Sequence, residues 1–168
     1  MVSHVVLPSP IGPLTVIAQD GAITHVHLGE AKHGPADDQF GVAGSPSDEP
    51  FAAAATQLAA YFAGDLREFD LPLAPRGDLF HQRVWALLRE IPYGETRSYG
   101  DLARALGDRN LAQAVGTANG RNPIAIVIPC HRVIGTDGSL VGYAGGLDRK
   151  RFLLALEEPP AAEVGRLF

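Results

Sequence analysis

Cys130 is the single cysteine of the chain, and His131 and Arg132 follow it directly. A thiolate is a strong nucleophile for soft electrophilic carbon. A neighbouring basic or cationic group raises its population from a free pKa of about 8.5. Attack at carbon leaves a stable thioether, and no second cysteine is present to regenerate the thiol by exchange. A single-use alkyl acceptor is therefore one reading of Cys130. A Cys-His-Glu hydrolase working through a thioester is a second, distinguished by turnover past one product per protein. A non-catalytic binding module, either a transcription regulator or a lesion sensor, is a third.

A lone cysteine often serves as a small buried hydrophobe, so its surroundings decide. Five apolar residues, Ile124 to Ile128, predict a short buried strand that ends at Pro129, where ladder pairing stops for want of an N–H. An imidazole and a guanidinium are costly to bury unpaired, and a structural thiol has no need of them. The pattern favours a strand end that presents a reactive sulfur.

The stretch 122–135 (NPIAIVIPCHRVIG), followed by Gly142-Tyr143-Ala144-Gly145-Gly146, resembles the active-site signature of the O6-alkylguanine-DNA alkyltransferases. The resemblance runs over nearly the whole chain and is strongest from Phe80 to Glu157. It implies a DNA repair protein that moves an alkyl group from O6 of guanine, and from O4 of thymine, in double-stranded DNA irreversibly to Cys130. The nucleotide is flipped out, and the protein acts once, by SN2-type displacement. His131 is then the base, acting on the thiol through a water, and Glu157 the carboxylate that orients it. Asn122 ties the recognition helix to the active-site segment. Tyr99 presses on the target phosphate. Tyr143, with the backbone at Val133 and Ala144, holds the flipped guanine. Ala112, Gln113 and Arg121 fall on the DNA side. Arg132 is mainly structural in the family and stays outside the catalytic set. The family usually fills the gap in the opened duplex with an arginine where this chain has Gln113, which weakens the expected hold on DNA. No cofactor and no metal are implied. The expected protein is a cytoplasmic monomer, with cooperative loading on DNA left open.

A chain of 168 residues, 46% apolar and 20% charged, suits a globular protein of one domain or two small ones. No membrane-spanning run and no secretory signal are evident. One cysteine rules out an internal disulfide and a thiolate-rich zinc site. Net charge is −5, but its distribution is uneven. Residues 1–76 carry 3 Lys/Arg against 9 Asp/Glu, whereas residues 77–157 carry 10 against 8. The second half is the one able to approach phosphate, in a weak field with a shallow salt dependence.

The elements that must position these residues form two units. Residues 4–8, 13–19 and 22–28 predict strands, the last two joined by the hairpin signal Asp20-Gly21. His25 and His27 share one face of the third strand, without a further ligand to make it a metal site. Residues 29–50 are loop-like, 49–63 helical, and 66–73 one further strand. The expected fold is an N-terminal α/β unit, an antiparallel sheet plus helix of ribonuclease H-like type, over residues 1–76. A mostly helical, winged-helix-like helix-turn-helix domain follows over residues 77–168, with a linker at 74–77.

In that second unit, residues 79–90 predict a core helix with Phe80, Val84, Leu87 and Leu88 on one stripe. Ser98 caps the next helix with Asp101 in a capping-box position. Residues 111–119 form the second of a closely connected pair, as in helix-turn-helix motifs. That helix, LAQAVGTAN, is mostly Ala, Gly, Val and Thr, where a base-reading helix carries Arg, Asn, Gln or Lys. Its small side chains allow close approach to a groove with little sequence preference, which suits repair and not repression. Residues 147–158 predict a final amphipathic helix with Phe152 and Leu156 on one face, stopped by Pro159-Pro160.

Overall fold

The computed structural model describes residues 1–29, 40–140, 143 and 145–158. Strands β1 (Val2–Leu7), β2 (Leu14–Gln19) and β3 (Ala22–Leu28) pair as an antiparallel meander. Asp20 and Gly21 both take positive φ, 54° and 82°, as the two-residue hairpin requires. Alternation places Val5, Leu7, Leu14, Val16, Ile23, Val26 and Leu28 in the core. A two-residue strand, β4 (Val42–Ala43), lies parallel to β1. The sheet order is β3-β2-β1-β4 and the sheet is mixed, where the sequence led us to expect antiparallel pairing throughout. So short an edge strand has no alternation for a sequence reader to detect.

Helix α1 (Phe51–Phe62) buries Phe51, Ala54, Leu58 and Tyr61. Residues 66–73 do not form the expected strand. The Gln57 amide clamps both main-chain groups of Asp70 at 2.8 Å, and Leu73 alone bridges to Ile23. Here a side chain satisfies backbone groups that a sheet ladder would otherwise take.

Helix α2 (Leu79–Arg89) is capped by Asp78 and buries Val84, Trp85 and Leu88. The Trp85 indole N–H donates to the Ala118 carbonyl at 2.9 Å, which fixes α2 against the helix carrying Ala118. After β5 (Arg97–Ser98), α3 (Tyr99–Ala105) begins with the predicted capping box: Ser98 accepts from the Asp101 N–H, and Asp101 accepts from the Ser98 N–H. A short 3-10 turn (Arg109–Leu111) leads into α4 (Ala112–Gly120) and completes the helix pair. Strand β6 (Val133–Ile134) pairs parallel with β5.

The final helix, α5 (Leu147–Glu157), buries Lys150, Leu153 and Glu157, at spacing i, i+3, i+7. Of the two apolar residues that the pattern puts on one face, Leu156 is half-buried against the core. Phe152 is 40% exposed and meets only the edge of the core, its ring 6.4 Å from Phe62. A lysine and a glutamate occupy core positions because both are paired there, as the site below explains. Pro159 and Pro160 lie outside the described residues.

Candidate active site

Residues 124–128, buried except for the half-buried Ala125, do not form the expected strand. They wind around the side chain of Asn122. Its Oδ1 accepts from the Ile124 N–H at 3.0 Å, and its Nδ2 donates to the Ile128 carbonyl at 2.7 Å. The loop docks on β3 through Val26, whose N–H donates to the Pro123 carbonyl and whose carbonyl accepts from the Ala125 N–H. Ile126 is held at φ 72°, a strained position for a β-branched residue that persists only where surrounding contacts impose it. Asn122 thus shapes the segment that delivers the thiol.

Cys130 opens a 3-10 turn with His131 and Arg132, and all three are buried, Cys130 being 5% exposed. Burial pushes the thiol pKa up. A hydrogen bond from Asn122, the charge of Lys150 and the Tyr143 phenol offset only part of this. The sequence pattern suggested a thiol activated by its neighbours. In the resting protein desolvation wins, because the nearest cation in sequence, Arg132, is committed elsewhere.

That commitment is to Glu157. Arg132 donates to both carboxylate oxygens, from Nε to Oε1 at 2.7 Å and from NH2 to Oε2 at 3.0 Å, and from NH1 to the Ile91 carbonyl at 2.7 Å. His131 Nε2 bonds Glu157 Oε2 at 2.7 Å. The Tyr61 hydroxyl donates to the same oxygen at 2.6 Å. Burial disfavours the carboxylate charge, but hydrogen bonds from His131, Arg132 and Tyr61, with the charge of His131, outweigh it and hold the Glu157 pKa at about 2. Desolvation pushes the His131 pKa down, and the charges of Arg132 and Lys150 add to this against the pull of Glu157. His131 is therefore neutral at pH 7. A carboxylate that cannot donate faces Nε2, so Nε2 carries the proton and Nδ1 the lone pair. Nδ1 is buried with no hydrogen-bond partner among the described residues.

Around the sulfur, the Asn119 amide donates to the Cys130 carbonyl at 3.3 Å and engages the Tyr99 phenol. Tyr99 is the first residue of α3, and its ring lies beside Gly116 of α4. The buried Tyr143 phenol couples electrostatically to Cys130 without a well-formed hydrogen bond to any described group. Lys150 Nζ donates to the Val133 carbonyl at 2.5 Å, and burial lowers its pKa to about 8. The Val133 carbonyl is thus already engaged by an ammonium. Ala144 lies outside the described residues. Arg149 ties the glycine-rich loop to the N-terminal unit, donating to the Gly145 and Ile11 carbonyls.

The fold therefore brings together Cys130, His131, Glu157, Asn122, Tyr99, Tyr143 and Val133. Ala112, Gln113 and Arg121 stand apart, at the two ends of α4. Gln113 and Arg121 are exposed and Ala112 is half-buried. Sequence reasoning missed Tyr61, Asn119 and Lys150. Lys150 carried no local mark, since a lysine and a glutamate on one helical stripe ordinarily read as a solvated face. Nothing local marked Tyr61, which lies 96 residues from its partner. Among the described residues no group of three or more His, Cys, Asp or Glu could hold a metal ion, and no helix is long and apolar enough to cross a membrane.

Comparison with known proteins agrees with this geometry. Residues 2–75 match the model of the 6-O-methylguanine DNA methyltransferase ribonuclease-like domain, and residues 79–159 that of the DNA binding domain of the same name. A methylated-DNA–protein-cysteine methyltransferase of Mycolicibacterium paratuberculosis is 52% identical over 157 residues, covering 94% of this chain and 93% of its own. The crystal structure of the Mycobacterium tuberculosis O6-methylguanine methyltransferase is 49% identical and covers 96% of both chains with a TM-score of 0.85. A structure of the M. tuberculosis protein in complex with DNA is 48% identical, with a TM-score of 0.83 over 93% of this chain and 92% of that one. With both domain models matched in order and relatives near half identity along almost its entire length, the chain belongs to the 6-O-methylguanine DNA methyltransferase family.

Proposed function

We propose that this protein repairs DNA by accepting the alkyl group of O6-alkylguanine, and of O4-alkylthymine, on Cys130 in a single irreversible turnover. The observation that carries the reading is the chain Cys130, His131, Glu157. A neutral buried imidazole, oriented by an ionised carboxylate, follows the thiol directly in sequence and keeps its second nitrogen unengaged. The thiol proton passes through a water to His131 Nδ1. The sulfur lone pair then attacks the alkyl carbon, and the carbon–oxygen bond breaks with its electron pair going to O6. Guanine gains one proton at N1, which balances the one the thiol lost. The product is an S-alkyl cysteine.

Because the sulfur is buried, the base must leave the duplex to reach it. Unstacking costs a few kcal/mol and least for a weakened pair. Tyr99, at the start of α3, serves as the residue that presses on the target phosphate. Tyr143 and the backbone at Val133 and Ala144 hold the flipped base. Ala112, Gln113 and Arg121 of the α4 region face the duplex. The short apolar side chains of α4 give little base-edge readout, so double-stranded DNA is bound largely without sequence preference. The protein works as a cytoplasmic monomer of two domains, residues 1–76 and 77–168.

Intact mass measured before and after incubation with duplex DNA containing O6-methylguanine tests the reading. The expected result is a gain of one methyl group, on Cys130, that stops at one per protein. Cys130→Ser should keep DNA binding and lose uptake. Continued turnover, or uptake by the serine variant, overturns it.

A further inference from the structure

The N-terminal domain contributes one polar atom to the catalytic cluster, the hydroxyl of Tyr61 on α1. The residue is wholly buried, and the hydroxyl lies 2.6 Å from Glu157 Oε2. Rings of Phe62, Phe69 and Tyr93 surround it at centroid distances of 5.3, 5.4 and 6.3 Å. The ring is thus fixed by packing alone, and its hydroxyl is aimed by that packing. Apolar contact would have served a core position equally well with phenylalanine, and the buried hydroxyl is retained with a charged acceptor.

We propose that Tyr61 is a positioning residue for alkyl transfer: it reaches from the N-terminal domain, fixes the Glu157 carboxylate and tempers how strongly that carboxylate pulls on the His131 proton. The inference rests on His131 being the base. Glu157 Oε2 accepts from three donors, the His131 ring, the Tyr61 hydroxyl and Arg132 NH2, while Oε1 accepts from Arg132 Nε and lies 3.5 Å from the Gly94 N–H. Each donor on Oε2 takes a share of its negative charge. Without Tyr61 more of that charge falls on His131, and the imidazolium form is favoured. Among the described residues, the other charged and titratable groups around this pair are Lys150 on α5, Arg132 and the adjoining Cys130 on the 3-10 turn, Tyr93 beside Glu157, and Tyr143, whose phenol is coupled to Glu157. All of them remain in a Tyr61 variant.

The test is the pH dependence of the second-order rate of methyl uptake from O6-methylguanine duplex DNA, in wild type, Tyr61→Phe and His131→Gln. In Tyr61→Phe the rising limb should move up by about half a pH unit, with a rate loss on that limb of up to roughly threefold that higher pH recovers. A loss by one constant factor at every pH means a merely structural role and overturns the proposal, as does an unchanged profile. Incorporation of 3-fluorotyrosine at position 61 keeps the hydroxyl, strengthens it as a donor and should move the limb down. An unmoved limb there overturns the proposal even where Tyr61→Phe fails to fold. His131→Gln separates the two layers. If it leaves the wild-type limb intact, the base assignment itself is wrong. If it removes the limb while both Tyr61 changes do nothing, only the role of Tyr61 falls.

Discussion

Replacing Glu157 by glutamine tests the electrostatic centre of the molecule. The carboxylate sits at the end of α5, 3% exposed, and receives donors at both oxygens. An amide offers one acceptor and one donor in the same space. If its NH2 group takes the Oε1 position it faces Arg132 Nε, and if it takes the Oε2 position it faces Arg132 NH2, His131 and Tyr61. The tyrosine hydroxyl can rotate and the imidazole can change tautomer, but a guanidinium cannot accept. In either orientation one Arg132 N–H faces a donor, and the guanidinium is left as a buried charge with no anionic partner, holding only the amide oxygen and the Ile91 carbonyl. Removing one partner of a buried pair costs about 3–5 kcal/mol. For a chain of this size that corresponds to a fall in Tm of roughly 10 °C or more.

The same substitution removes the reason for His131 to keep its lone pair on Nδ1, and loss of a properly oriented base lowers rates by about 10²–10⁴-fold. Urea unfolding followed by tryptophan fluorescence of Trp85 reads the first effect, and single-turnover methyl uptake the second. In the double variant Arg132→Met/Glu157→Gln the uncompensated charge is gone, so its stability loss should be smaller than the sum of the two single losses. A Glu157→Gln protein within about 1 kcal/mol of wild type, or a strictly additive double variant, refutes the argument that these charges stabilise one another.

Stability should fall on acidification. Glu157 has its pKa depressed from 4.5 to about 2, and His131 lies below 6.5, so in both cases the unfolded chain binds more protons. Each contribution is present above the unfolded-state pKa and is lost as pH falls, for His131 from about neutrality and for Glu157 between 4.5 and 2, the latter amounting to about 3 kcal/mol. Urea midpoints at pH 7, 5 and 3 check this, and a flat series would contradict it. Lys150→Met removes the cation that partly offsets burial of the thiol, so the pH midpoint for alkylation of Cys130 by iodoacetamide should rise; an unchanged midpoint denies the coupling. Gln113→Arg places a cation on the exposed face of α4 and should tighten DNA binding while steepening its salt dependence by about one unit of log–log slope, measured by fluorescence anisotropy at two salt concentrations. Equal or weaker binding counts against Gln113 facing the duplex.

Much of the architecture was readable where local rules act. The Asp20-Gly21 hairpin, the Ser98–Asp101 capping box and the small-residue helix α4 each declare themselves within a few residues. Reading failed where a side chain does work that a periodic pattern assigns to backbone. Residues 124–128 look like a strand because five apolar residues follow one another, yet their main-chain groups are taken by Asn122 and Val26. Residues 66–73 alternate, yet Gln57 holds Asp70. In α5 the apolar residues Phe152 and Leu156 outvoted Lys150 and Glu157 in any hydrophobic count, and the charges won because each has partners from distant segments. Cys130, His131 and Glu157, which the fold places side by side, were named through a family resemblance. Tyr61 was not, since its role exists only after 96 residues of intervening chain have folded.

The most instructive departure concerns the thiol itself, which burial holds in its protonated form. For an enzyme that turns over, a standing thiolate shortens every cycle. A protein consumed by its first reaction has a different requirement, because any carbon or oxidant that reaches the sulfur ends its working life. Thiolate fraction and access together set that hazard. A protonated sulfur, 5% exposed, is poorly reactive toward both. Lys150 carries a charge that favours the thiolate, and the proposed base, His131, is a neutral imidazole whose Nδ1 has no partner among the described residues. Under the function proposed here, a flipped base brought to Cys130 supplies the electrophile at the same moment that the proton leaves. Reactivity is then conditional on substrate, and the condition is enforced by desolvation and not by a lowered thiol pKa.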